Sequence, residues 1–178
     1  MLVGKVYVGS PQKAAIPLLF DTNFDATVIM GPDCKTCLFP TYDPKSSASY
    51  VLENAAIYRY SFDSIVAMAG SRVKDTICLS ADSNCAVNFT FVAGTSSYKL
   101  DPNISGVLGL TLNGDNSSAI AENRFIDTFF KSGSITERKF STHLGTNIYV
   151  DFGTPVASSM TSITDLVDVK VRNGFFWS

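Results

Sequence analysis

The feature that most limits the fold of this 178-residue chain is a succession of short apolar runs separated by turn residues. Such runs have the length of strands, and several of them alternate apolar and polar residues. Only the segment 118–131 repeats its apolar residues close to helical spacing. The predicted strands are 3–9, 14–20, 26–30, 55–60, 64–69, 73–79, 87–92, 107–108, 140–144, 146–152 and 163–171. Many short strands with one or two helices predict an all-β fold.

Composition excludes several classes of protein. Hydrophobic residues make up 46% of the chain, charged residues make up 17%, and the formal net charge is −2. Such a balance gives no sequence-wide basic surface, so we expect no nucleic-acid partner. No apolar run approaches the roughly 18 residues that a membrane-spanning helix needs. The length is that of a single domain with its own core.

The four cysteines fall into two local pairs, Cys34/Cys37 and Cys78/Cys85. An even, locally paired set predicts two small disulfide loops. The alternatives are a redox motif at the first pair or a zinc site, which would need Cys78 together with Cys85 or His143. His143 lies in an alternating segment, which favours a structural role. The sequence therefore predicts neither a metal nor another cofactor.

Three N-x-S/T triplets, which begin at Asn88, Asn103 and Asn116, are candidate N-glycosylation sites. Together with the predicted disulfides, they indicate the secretory pathway, with an extracellular or a lysosome- or vacuole-like destination.

The two ends of the chain predict a covering partner. The chain opens directly on a strand pattern, and its last residues include Phe175, Phe176 and Trp177. Three neighbouring aromatic side chains would expose a large apolar patch unless more chain or a partner covers them. We therefore expect an interior segment of a larger secreted protein, or a subunit that needs a partner.

The chemistry of the sequence centres on Asp21, which follows the apolar residues Leu18, Leu19 and Phe20. A carboxylate at the edge of a buried strand is costly unless it is hydrogen-bonded or paired. Thr22 supplies a neighbouring hydroxyl. On its own, Asp21 is also compatible with an ordinary turn.

An ordered set of motifs around Asp21 changes this interpretation. Its members are Tyr7-Val8-Gly9-Ser10-Pro11-Gln12, Phe20-Asp21-Thr22, Tyr42-Asp43-Pro44 with Ser46-Ser47-Ala48-Ser49-Tyr50, Gly106-Val107-Leu108-Gly109-Leu110 and Gly174-Phe175-Phe176-Trp177. In order and spacing, this set resembles the N-terminal lobe of the pepsin-like aspartic endopeptidases of peptidase A1 type. The resemblance implies closed, orthogonal, β-barrel-like sheets with one or two short helices. It also implies that 1–178 forms a single lobe, in which about 163–177 begins the sheet between lobes and the C-terminal lobe is absent.

The resemblance implies a mechanism with two aspartates, one from each lobe. Asp21 matches the first of them, with Thr22 beside it, and no second motif of this type occurs in the chain. The resemblance places Tyr60, Ser61 and Phe62 in a substrate-binding flap. A missing lobe or partner would supply the second carboxylate, and a peptide would be the substrate.

The chain departs from the family pattern in five ways. Asn23 replaces a glycine, Phe24 a small hydroxyl residue, Val28 a tryptophan and Ser105 an aspartate, and the flap glycines are absent after Tyr60. These changes predict relaxed or lost catalysis. Three hypotheses remain: half of a two-lobed peptidase, a non-catalytic binding or structural component of a larger assembly, and a homodimer with a symmetric site. The homodimer is disfavoured because Phe24 would crowd the two-fold axis.

Overall fold

The computed structural model describes residues 2–11, 15–24, 26–35, 37–38, 41–62, 66–81, 83–111, 124–144 and 148–154. The strands are β1 Val3–Val8, β2 Ala15–Asp21, β3 Thr27–Met30, β4 Val51–Phe62, β5 Val66–Cys78, β6 Cys85–Tyr98, β7 Gly106–Gly109, β8 Phe140–Leu144 and β9 Ile148–Phe152. One α-helix, α1, spans Phe125–Lys131, and Pro44–Ser46 forms a short 3-10 turn. The predicted all-β class is confirmed.

Seven strands form one sheet in the order β1-β2-β7-β3-β6-β5-β4. β1 also pairs with β5, through Tyr7 opposite Cys78 and Val8 opposite Ile77, so the first six of these strands close into a barrel. Two pairings are parallel, β2 with β7 and β3 with β6. β4 lies outside the ring and forms a hairpin with β5.

The core fills the barrel with side chains that alternate along the strands. Val6, Leu18 and Ile77 are fully buried there, and burial of each such side chain stabilises the fold by about 1.5–3 kcal/mol. α1 closes one side of the core, because the Phe125 ring meets the Phe89 ring edge-on at a centroid distance of 5.9 Å. None of the helices described is long and apolar enough to cross a membrane.

The predicted strands 64–69 and 73–79 are wrong as two elements, since they belong to the single strand β5. In the sequence, Gly70 suggests the end of a strand. In the structure, it lies at a register shift in the pairing of β5 with β6. A Cβ atom at Gly70 would stand 2.0 Å from the carbonyl oxygen of Ala93. The glycine therefore permits the close approach of two strands and does not end one.

Other predicted boundaries differ less. The strands 55–60 and 87–92 extend to β4 and β6, and the observed helix begins at Phe125. The segments 118–123 and 163–171 lie outside the described residues. Pro17, predicted at an edge or bulge, lies in the part of β2 that pairs with β1 but precedes the pairing with β7.

Candidate functional site

Asp21 is the last residue of β2, and its backbone is held from both directions. It pairs in parallel with Gly109 of β7, and its carbonyl oxygen accepts a hydrogen bond from the Leu110 N–H at 2.7 Å. Its carboxylate oxygen Oδ1 accepts a hydrogen bond from the Asn23 N–H at 2.6 Å. The residue is half-buried, whereas Thr22 and Asn23 are exposed. The carboxylate is therefore fixed at the end of a strand while the turn after it faces solvent.

Phe24 follows that exposed turn, and its side chain is buried in the protein. It is 8% exposed and belongs to a buried cluster that also contains Val28, Met68 and Val107. Val28 on β3 lies between Val107 and Val92 in the sheet. Phe24 and Val28, two of the positions predicted to depart from the family pattern, thus lie in one buried apolar cluster.

The hairpin of β4 and β5 carries the predicted flap positions. In its backbone register, Tyr60 lies opposite Met68, Ser61 opposite Ala67, and Phe62 opposite Val66. Met68 and Phe24 belong to the same buried cluster. The β5 arm of the hairpin therefore shares a buried cluster with the residue that follows the turn after Asp21.

An ion-pair cluster joins β4 and β5 further from the tip of the hairpin. Glu53 pairs with Arg72 Nε at 2.5 Å and with Lys74 Nζ at 2.8 Å. Desolvation alone would raise the pKa of Glu53, but the hydrogen bonds from Lys74 and Arg72 outweigh it and lower this pKa.

Ser105 lies just before β7 and links two strands through its backbone. Its N–H donates to the carbonyl oxygen of Pro17 at 2.8 Å, and its own carbonyl accepts from the Met30 N–H at 2.7 Å. The residue is fully buried, and its side-chain hydroxyl has no hydrogen-bond partner among the described residues.

Asp75 on β5 is a buried carboxylate to which no sequence motif points. It is 0% exposed and accepts hydrogen bonds from Tyr42 Oη at 2.6 Å, from Ser47 Oγ at 2.9 Å and from the N–H of the next residue, Thr76, at 2.7 Å. The Ser49 hydroxyl also donates to it. Hydroxyl residues of the segment 42–50 thus converge on this side chain.

The Asp75 network also holds Gly9 and Ser10, which directly follow β1. Ser47 Oγ accepts a hydrogen bond from the Ser10 N–H at 2.9 Å, and the Gly9 N–H donates to the carbonyl oxygen of Thr76 at 2.9 Å. Because β1 pairs with β2, the network holds a strand that lies next to the one ending at Asp21.

Burial, followed by the hydrogen bond to Asp75, raises the pKa of the Tyr42 phenol far above its ordinary value of about 10. A raised pKa means that the neutral phenol stabilises the fold fully below about pH 10 and that this contribution is lost as the pH rises further. Tyr42→Phe should therefore cost about 1.5–3 kcal/mol of unfolding free energy near neutrality. Above about pH 10 the cost should shrink by up to about 1.4 kcal/mol per pH unit.

Urea unfolding of Tyr42→Phe across this pH range measures the effect. Tyr98→Phe is the control, because Tyr98 is exposed and its replacement should cost less than about 0.5 kcal/mol at any pH. A Tyr42→Phe cost that is constant with pH would contradict the prediction.

Both predicted disulfides, Cys34–Cys37 and Cys78–Cys85, are present, with Cα–Cα distances of 5.6 Å and 4.0 Å. All four thiols are thereby used, so the alternative of a zinc site built from them is wrong. His143 lies on β8 opposite Tyr149.

Several other predicted positions stand apart from Asp21 or outside the described residues. Asn88 and Asn103 are exposed. The remaining predicted positions, which lie outside the described residues, are Asn116, Phe175, Phe176, Trp177 and the segment 163–177. A cavity of about 410 Å³ borders Phe20 and Val150, but Asp21 does not line it.

Comparison with protein families agrees with this arrangement. The family model described as eukaryotic aspartyl protease matches residues 2–177. None of the curated proteins compared with the chain matches it significantly. The match extends over nearly the whole chain and coincides with an all-β fold in which Asp21 ends β2. The chain therefore belongs to the eukaryotic aspartyl protease family.

Proposed function

We propose that the chain is one lobe of an aspartic peptidase and that its Asp21 carboxylate is one of the two needed for peptide-bond hydrolysis. The observation that carries this proposal is the position of Asp21 at the end of β2, fixed by Gly109, Leu110 and Asn23 within a chain of this family. In this proposal, residues 1–178 form an N-terminal-type lobe, and a second lobe or a partner supplies the other carboxylate.

The chemistry needs two close carboxylates because together they hold a single proton. One carboxylate takes a proton from the attacking water, and the other donates a proton to the peptide carbonyl. Two other Asp-Thr pairs are described, and neither suits this role. Asp75 is fully buried and accepts a hydrogen bond from the Tyr42 hydroxyl. Asp127 lies in α1, where its Oδ1 is 3.5 Å from Arg138 Nε.

A second candidate function is a non-catalytic binding or structural member of the fold. Phe24 favours it, since this side chain fills the core where the family has a small hydroxyl residue that supports the carboxylate. A symmetric homodimer is a third candidate. The steric objection to it weakens because Phe24 packs into its own lobe and is only 8% exposed.

We further infer a secreted or lysosome- or vacuole-like location. The two disulfides support this inference, because disulfides persist in oxidising compartments.

Cleavage of an acid-denatured protein, with and without pepstatin, tests the function. We expect no cleavage by the isolated monomeric chain, since one carboxylate cannot complete both proton transfers. In the full-length protein or natural assembly, we expect pepstatin-sensitive cleavage that Asp21→Asn reduces to background. Asp43→Asn is the control, because this exposed carboxylate caps a 3-10 turn, and we expect it to leave cleavage unchanged.

The other outcomes separate the candidates. An intact assembly without cleavage would favour the non-catalytic member. Cleavage that appears only when the isolated chain dimerises would favour the symmetric site. Pepstatin-sensitive turnover by a strict monomer of 178 residues, lost on Asp21→Asn, would overturn the two-lobe requirement.

A further inference from the structure

Two buried side-chain hydroxyls in the described part of the chain have no hydrogen-bond partner. They are Thr90 Oγ1 and Ser105 Oγ, both on residues that are 0% exposed. A buried hydroxyl without a partner costs free energy, since its hydrogen bonds to water are lost and not replaced. In the folded protein, an apolar residue of similar shape would serve at least as well at either position.

These hydroxyls share one property in the sequence: each ends an N-x-S/T triplet. Thr90 ends Asn88-Phe89-Thr90, and Ser105 ends Asn103-Ile104-Ser105. In both triplets, the middle and last residues are buried and the asparagine is exposed. The pattern fits a hydroxyl that is needed before folding and an asparagine that stays accessible afterwards.

The local backbone directs both asparagines outward. Asn88 has a φ of 58° within β6, where it and Val87 are exposed between the buried residues Ala86 and Phe89. Asn103 lies in a turn before β7, and its N–H donates to Asp101 Oδ1 at 2.8 Å. Neither position faces the barrel interior, so a large substituent on either side-chain amide would extend into solvent.

We propose that Asn88 and Asn103 are N-glycosylated and that the Thr90 and Ser105 hydroxyls serve this modification alone. The donor is an oligosaccharide linked to a polyisoprenyl diphosphate. The Asn Nδ2 forms a bond to the anomeric carbon of the sugar while the bond from that carbon to the diphosphate oxygen breaks. Nδ2 loses one proton to a base of the transferring enzyme, and the lipid diphosphate leaves with the electron pair of the broken bond. The inference depends on the proposed secretory location and is independent of catalysis.

The exposed apolar surface near these sites supports the proposal. Leu38 and Val87, which are 77% and 64% exposed, are the two most exposed large aliphatic side chains among the described residues. Val87 directly precedes Asn88, and the Leu38 N–H donates to the carbonyl oxygen of Pro102, the neighbour of Asn103, at 3.1 Å. A glycan at each site would cover apolar surface that the fold leaves in water.

Expression of the full chain with a secretion leader in a eukaryotic cell tests the modification. Intact mass before and after peptide N-glycosidase should show glycans, and site mapping should place them on Asn88 and Asn103. Asn88→Gln and Thr90→Val should each remove the same glycan, whereas Thr90→Ser should keep it. Asn54→Gln is the control, because Asn54 begins no triplet, and it should leave the glycans unchanged. Secreted, folded protein that carries no glycan at Asn88 and none at Asn103 would overturn the proposal.

Bacterial expression, which yields unglycosylated protein, tests the role of the buried hydroxyls. Thr90→Val removes the hydroxyl with little change in shape, so the midpoint of thermal unfolding should stay the same or rise. Thr76→Val is the matched control, because the Thr76 hydroxyl donates to Ser49 Oγ at 3.2 Å, and its midpoint should fall. A fall for Thr90→Val as large as that for Thr76→Val would show a structural role for the hydroxyl and overturn that part of the proposal.

Discussion

Asp75→Ala is expected to lower the free energy of unfolding by at least about 3 kcal/mol. The substitution would leave the hydroxyls of Tyr42, Ser47 and Ser49 and the Thr76 N–H without their shared acceptor. Tyr42 and Thr76 are buried, and each buried donor without a partner costs about 1–3 kcal/mol. Because Ser47 also accepts a hydrogen bond from the Ser10 N–H, the loss should spread to the residues that directly follow β1.

Urea unfolding near neutral pH measures this effect, and two further variants define it. Asp75→Asn keeps one carbonyl oxygen as an acceptor, so its free energy of unfolding should lie between those of the wild type and Asp75→Ala. Asp43→Ala is the control, since this exposed carboxylate caps only the 3-10 turn, and it should cost about 1 kcal/mol. An Asp75→Ala cost no larger than that of Asp43→Ala would show that the network contributes little to stability.

Local pattern was sufficient to predict most strands and the position of Asp21, but it could not rank the two aspartates. Asp21 and Asp75 are both followed by threonine and both lie on strands. Only Asp75 meets the hydroxyls of Tyr42, Ser47 and Ser49, which lie 26 to 33 residues earlier in the chain. Burial and satisfaction of a carboxylate depend on such distant contacts, which neither periodicity nor turn propensity encodes.

The same dependence on distant contacts explains why the predictions for Gly70 and Phe24 differ from the structure. Gly70 resembles a strand break until the carbonyl of Ala93, on the neighbouring strand, is seen in contact with it. From the sequence, Phe24 is predicted to crowd the two-fold axis of a homodimer, whereas in the fold it lies in a buried cluster with Met68 and Val107. The cysteines were easier, because each pair closes a loop short enough to be predicted from spacing alone.

Gly106→Ala is expected to destabilise the protein by about 3–5 kcal/mol, through two separate causes. Gly106 has a φ of 145°, a region that residues with a side chain rarely adopt. A Cβ atom there would also stand 2.0 Å from the carbonyl oxygen of Val28 and 3.1 Å from Ile29 Cα. These are backbone atoms of β3, so no side-chain rotation relieves the clash.

Gly133→Ala separates the two causes, because Gly133 has a φ of 75° and a Cβ atom added to it would meet no atom within 4 Å. It should cost only the conformational penalty of about 1–2 kcal/mol. The difference between the two variants then measures the contact between β7 and β3 together with the more restricted backbone angle of Gly106. Since β7 also pairs with β2 at Asp21, amide chemical shifts in Gly106→Ala should change at Asp21 and Leu110 as well as at Val28. Equal costs for the two variants would mean that β3 gives way easily, and β7 would then be a poor support for the candidate catalytic strand.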